Sequence, residues 1–160
     1  MENKLAKLYN ELGAKIVSTI PGKWGKIYYL GEVTNEKSSW SSVFYFTEEN
    51  STRYFESNDI PEKYKVSMAI YRQLMDEISE ILLRIYDCFI ENGQKPWEQL
   101  SLFIDKTGDF SVDYLYDTIS YSDRGPIERE IIWAYETFGN VPREGTYWRE
   151  ILDKYIKQKN

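Results

Sequence analysis

Four aspartates, Asp105, Asp109, Asp113 and Asp117, recur every four residues through the middle of this chain, and theirs are the side chains whose type and spacing could do chemistry. A run of carboxylates could hold Mg²⁺ or Ca²⁺ through oxygen, or supply the paired acid and base of a glycosidase. It could equally accept lysines and arginines from a protein partner, or consist of solvated turn and strand residues. The remaining composition narrows the choice. The chain has no histidine, which removes the commonest general base, the usual metal ligand and every Ser-His arrangement. A single cysteine, Cys88, cannot build a zinc site of the usual kind. It lies beside an apolar helical stripe with no base to activate it, and reads as a small core or flanking residue. The segment PGKWGK at 21–26 lacks the spacing and the Ser or Thr of a phosphate-binding loop and precedes a strand, so it reads as a turn. These residues assign no catalytic group, metal site or cofactor.

The aspartates sit in a stretch, 97–121, whose apolar residues keep a two-residue beat on both sides of one turn. Leu100, Leu102 and Ile104 mark one arm, and Phe110, Val112, Tyr114 and Tyr116 the other. For both even-numbered sets to share a face of an antiparallel hairpin, opposed residues must have the same parity. That excludes a two-residue loop and fits Lys106, Thr107 and Gly108, with Gly108 at the left-handed position. The predicted register pairs Ile104 with Phe110, Leu102 with Val112 and Leu100 with Tyr114. It also sets Asp105 against Asp109 across the loop, where like charges repel unless something neutralises them.

The flanking elements follow from period and punctuation. Leu5, Leu8, Tyr9, Leu12, Ile16 and Ile20 form one face of a helix that Pro21 and Gly22 end. Stretches 27–33, 42–46 and 52–56 read as strands. Met68 to Phe89 carries the stripe of a long helix, roughly 35 to 40 Å at 1.5 Å per residue, closed by Asn92 and Gly93. After the hairpin, Pro126 opens a helix that Gly139 closes, and Tyr147, Trp148, Ile151, Leu152 and Tyr155 trace a last one. The predicted class is α+β, an antiparallel sheet of about five strands in the order α-β-β-β-α-β-β-α-α, within a single domain spanning 1–160, with helices on one sheet face.

At 160 residues the chain can bury roughly 70% of the surface its unfolded form exposes. No apolar run reaches membrane length, and the first helix is amphipathic and lysine-bearing rather than a signal peptide, which together with the lone cysteine places the protein in the cytoplasm. Residues 76–117 hold ten acids and three bases, a net of −7 against −6 for the whole chain. Such a surface argues against nucleic acid as a direct partner and would attract a basic protein. Trp24, Trp97, Trp133 and Trp148 lie at element edges and read first as packing residues. Among the 14 tyrosines, Tyr114, Tyr116 and Tyr121 adjoin the acidic hairpin and have the composition of a binding hot spot.

Four segments carry a family resemblance: IPGKWGKIYYLGEV at 20–33, WEQLSL at 97–102, GDFSVDYLYD at 108–117 and IIWAYETFGNVP at 131–142. Together they resemble the YezG-like immunity protein family. The resemblance implies a non-enzymatic, cytoplasmic antitoxin of Gram-positive bacteria that neutralises a cognate secreted toxin, usually a nuclease domain at the end of a type VII-exported polymorphic toxin. It assigns no contact residue, so the partner-binding set Asp105, Asp109, Asp113, Asp117, Tyr114, Tyr116 and Tyr121 rests on charge and composition. Two other readings stay open: a small metal-dependent hydrolase built on the hairpin carboxylates, and a scaffold that assembles a homo-oligomer through exposed aromatics. No membrane partner is expected.

Overall fold

In a computed structural model describing residues 1–34 and 37–160, the apolar stripes of two helices close over one face of a five-stranded antiparallel sheet. The elements are α1 (Glu2–Thr19), β1 (Trp24–Thr34), β2 (Ser39–Glu48), β3 (Tyr54–Glu56), α2 (Ile60–Tyr64), α3 (Met68–Glu91), β4 (Gln99–Ile104), β5 (Phe110–Leu115), α4 (Pro126–Phe138) and α5 (Tyr147–Lys159). This is the expected α+β order with one short helix, α2, added where the Asn58-Asp59-Ile60-Pro61 sequence turns the chain. Pro61 sits in its first turn and Lys65 ends it in the left-handed region, φ 55°. Contacts divide the chain into two compact units, Met1–Ser120 and Tyr121–Asn160.

In the first unit the sheet order is β3-β2-β1-β4-β5. Leu5, Leu8, Leu12 and Ile16 of α1 and Ile78, Leu82, Ile85 and Phe89 of α3 are buried in one cluster. The same cluster takes the inward residues of the strands, among them Ile27 and Tyr29 of β1, Phe44 and Phe46 of β2, and Leu100, Leu102 and Ile104 of β4. Tyr29 is fully buried and its hydroxyl bonds the Ser42 Oγ at 2.7 Å, so the ring packs without leaving a polar atom unpaired. Burial on β1 does not stop at that face. Leu30 and Glu32, which point the other way, are buried too, and Gln99 on the neighbouring strand donates to Glu32 Oε2 at 2.8 Å. A strand covered on both faces reads as an almost continuous buried run, which is how β1 behaves from Tyr29 to Val33.

The second unit is a helical pair. Pro126 lies in the first turn of α4, and Gly139 ends it at φ 72°, in the left-handed region that favours glycine. Thr146 caps α5 by accepting the Arg149 N–H at 3.1 Å. Tyr155 and Lys159 of α5 both donate to Glu136 of α4, each at 2.7 Å. Among the described residues no helix is long and apolar enough to cross a membrane.

Candidate partner-binding hairpin

The hairpin forms in the register that strict alternation demands: Leu100 opposite Tyr114, Leu102 opposite Val112 and Ile104 opposite Phe110. The turn is the three-residue loop of Lys106, Thr107 and Gly108, with Gly108 at φ 92° and its N–H donated to the Asp105 carbonyl at 3.0 Å. Asp105 and Asp109 face each other across it, joined by the Asp105 N–H to Asp109 carbonyl bond at 3.0 Å.

What stabilises the Asp105 carboxylate in its charged form is the loop itself. Its Oδ1 accepts the Thr107 hydroxyl at 2.6 Å, the Thr107 N–H at 2.9 Å and the Asp109 N–H at 3.2 Å. The Thr107 hydroxyl, followed by the backbone N–H groups of the loop, holds this carboxyl below the usual aspartate range. A depressed carboxylate pKa stabilises the fold above the unfolded-state value, and that contribution disappears as pH falls through the folded-state value. Asp105→Asn should therefore lower the urea midpoint at neutral pH, and the gap from the parent chain should close in acid. A gap that persists unchanged into acid would mean that the charge of Asp105 is not what the loop uses.

The other members of the candidate set divide by parity and by unit. Asp109 and Asp113 share the odd-numbered face of the hairpin with Asp105; both are exposed, and neither has an ion-pair partner among the described residues. Asp117 lies just past the strand in the left-handed region, φ 57°, and its carboxylate meets Lys95 Nζ at 2.9 Å. Tyr116 is 40% exposed and lies under the same lysine, whose ammonium is 5.4 Å from the ring centre. Tyr114 lies on the even-numbered face, packed between Phe89 and Trp97 with ring centroids 4.9 and 5.4 Å away, and its hydroxyl bonds that of Tyr9. Burial pushes the hydroxyls of both tyrosines above the ordinary tyrosine value. Tyr121 is 85% exposed but belongs to the second unit.

Sequence reasoning grouped the acids of the long helix with those of the hairpin, but three of the five acids of the helix are ion-paired in the structure. On α3, Glu77 meets Lys15 at 2.9 Å, Asp87 meets Lys37 at 2.9 Å and Glu91 meets Lys4 at 3.1 Å, while Arg84 pairs with Glu11. Exposed pairs of this kind contribute about 0 to 1 kcal/mol each, yet they cancel charge that a partner would otherwise feel. Lys4 and Lys15, eleven positions apart on α1, were visible in sequence, but not that they face α3. Also missed was Glu98, which fastens the chain leaving the hairpin. Partial burial alone would raise its pKa, but the Ser120 hydroxyl and N–H and the Ile119 N–H outweigh that and hold it low. Among the described residues no three His, Cys, Asp or Glu side chains are grouped so as to hold a metal ion.

The family whose description is "Immunity protein YezG-like" matches residues 5–152. Immunity protein YezG of Bacillus subtilis is 34% identical over 137 residues, covering 86% of this chain and 89% of that protein. Immunity protein YezG of Bacillus spizizenii is 31% identical over 154 residues, covering 96% and 94%. The type VII secretion system protein EsaG of Staphylococcus aureus is 26% identical over 159 residues, covering 98% and 96%. With a match that runs through both units and nearly the full length of these relatives, the chain belongs to the YezG-like family of immunity proteins.

Proposed function

We propose that this protein is a cytoplasmic antitoxin that binds a cognate secreted toxin, a basic nuclease domain, and neutralises it by covering its nucleic-acid surface. Binding, rather than turnover, is the activity. The observation that carries this reading is the pair of carboxylates on Asp109 and Asp113. They are exposed on one face of the hairpin and without a counter-ion among the described residues, whereas Glu77, Asp87 and Glu91 on α3 are already paired. An unpaired acidic face suits a basic partner, because opposite potentials speed encounter.

Co-expression with the toxin domain encoded by the adjacent open reading frame, followed by pull-down and a salt series, tests the reading. The complex should form, and its affinity should fall as salt rises. The double variant Asp109→Lys with Asp113→Lys should bind on the order of ten- to a hundredfold more weakly and with a flatter salt dependence. Unchanged affinity and unchanged salt dependence in that variant would remove the electrostatic role of the hairpin.

A further inference from the structure

The sheet ends differently at its two edges. At one, β3 is only three residues long, and the β2 backbone just beyond it is finished by a side chain: the Phe44 N–H donates to Ser57 Oγ at 3.3 Å. At the other, β5 runs six residues in unbroken register with β4, holds no proline, and has four of its six residues exposed. Its free backbone groups can be assigned. Asp105 and Asp109 are a hydrogen-bonded pair, and in an antiparallel ladder such pairs alternate. Ser111 and Asp113 therefore direct their N–H and C=O groups toward β4, while Phe110, Val112 and Tyr114 direct theirs away from the sheet. Phe110, 40% exposed, and Leu115, 38% exposed, add apolar surface along the same strand. Edges are ordinarily protected by brevity, proline, bulges or charge, and here Asp113 is the only such device inside the strand.

That charge also selects the occupant. In every antiparallel pairing of β5 with a second copy that bonds the outward groups of Phe110, Val112 and Tyr114, an Asp109 or Asp113 lies opposite or diagonal to an Asp109 or Asp113 of the other copy. Like charges so placed are destabilising across a strand pair. A strand with lysine or arginine at those positions gains where a second copy loses. We propose that the edge of β5 is completed, in the complex, by an extended strand of the toxin. This strand carries basic side chains toward Asp109 and Asp113 and an apolar one toward Phe110, so that main-chain bonds give affinity and the alternate side chains give specificity. The inference rests on the toxin-neutralising reading and adds to it the geometry of the contact.

Amide exchange separates the two. In the ¹⁵N-labelled full chain, Phe110, Val112 and Tyr114 should exchange quickly alone and about a hundredfold or more slowly when bound to the catalytically inactivated toxin domain from the adjacent open reading frame, with far smaller changes at Ser111 and Asp113. Val112→Pro deletes an outward N–H and none of the bonds to β4, and also removes part of a side chain packed on the core, so it should weaken toxin binding by about a hundredfold while lowering the melting temperature only modestly. Should that variant fold poorly, the exchange measurement on the unsubstituted chain decides alone. A complex that forms with the three amides exchanging as before overturns the strand addition and leaves the toxin reading standing. Protection that appears without toxin and grows with protein concentration assigns the edge to a second copy and overturns it too. Failure of any complex to form removes both.

Discussion

Trp97→Ala should cost about 3 to 5 kcal/mol of stability, the range for a large aromatic removed from a packed interior, and lower the melting temperature by on the order of 10 °C. The indole is fully buried and meets Tyr86, Phe89 and Tyr114 at centroid separations of 5.4, 6.3 and 5.4 Å. It therefore joins the end of α3 to the base of the hairpin, and alanine would open a cavity under the strand that carries Asp113. Trp97→Phe should behave differently. Among the described residues nothing accepts a hydrogen bond from Trp97 Nε1, and a buried N–H left unpaired costs about 1 to 3 kcal/mol. Phenylalanine loses part of the ring volume but also that penalty, so its net cost should stay under about 2 kcal/mol. Urea unfolding of the three proteins, followed by circular dichroism, measures both differences. A Trp97→Ala loss below about 1 kcal/mol would show that the site collapses around the missing ring.

Gly31→Val should be at least as damaging, and for the opposite reason. Gly31 has ordinary extended backbone; what it supplies is space. A Cβ placed there would come within 2.5 and 2.9 Å of the two Leu82 methyls and 2.8 Å of the Tyr29 hydroxyl. Neither neighbour can retreat easily, since Leu82 and Tyr29 are both fully buried and the tyrosine is tied to Ser42. Gly31→Ala should cost about 1 to 3 kcal/mol and valine more, through overpacking where α3 crosses β1. A double-mutant cycle with Leu82→Ala identifies the cause. Removing the leucine methyls should make Gly31→Ala cheaper than in the parent chain, a coupling of about 0.5 to 3 kcal/mol. Strict additivity would place the clash elsewhere.

Both substitutions bear on the proposed toxin contact through the hairpin, since Trp97 supports its base and Gly31 lies on the strand beside β4, opposite Leu100. Either variant should lose toxin binding in proportion to its unfolded fraction. The Asp109 and Asp113 substitutions should lose binding with the fold intact. Running the two classes side by side keeps loss of structure distinct from loss of contact.

Much of the hairpin could be read from residues 97–121 because it depends on short-range rules. Parity sets which residues oppose, loop length sets the turn, and Gly108 fills the one position where φ reaches 92°. The same alternation already put Tyr114 among Leu100, Leu102 and Val112, although its composition suggested a partner contact. The helix stripes were equally legible, since a 3.6-residue period is a local property. Three features were not. The short helix α2 lies in a stretch that reads as turn chemistry. The burial of Glu32 opposite Gln99 needs a neighbouring strand from 67 residues away. The pairing of Glu91 with Lys4 and of Glu77 with Lys15 needs the rotation of one helix against another.

The sequence by itself determined the secondary elements, the hairpin register and the family, because each depends on order along the chain and on periods of two and 3.6 residues. Only the tertiary structure decided which acids remain unpaired and which strand is left at the edge of the sheet. Charge cancellation and edge position are set by distances between segments far apart in the chain, and no local pattern encodes those distances.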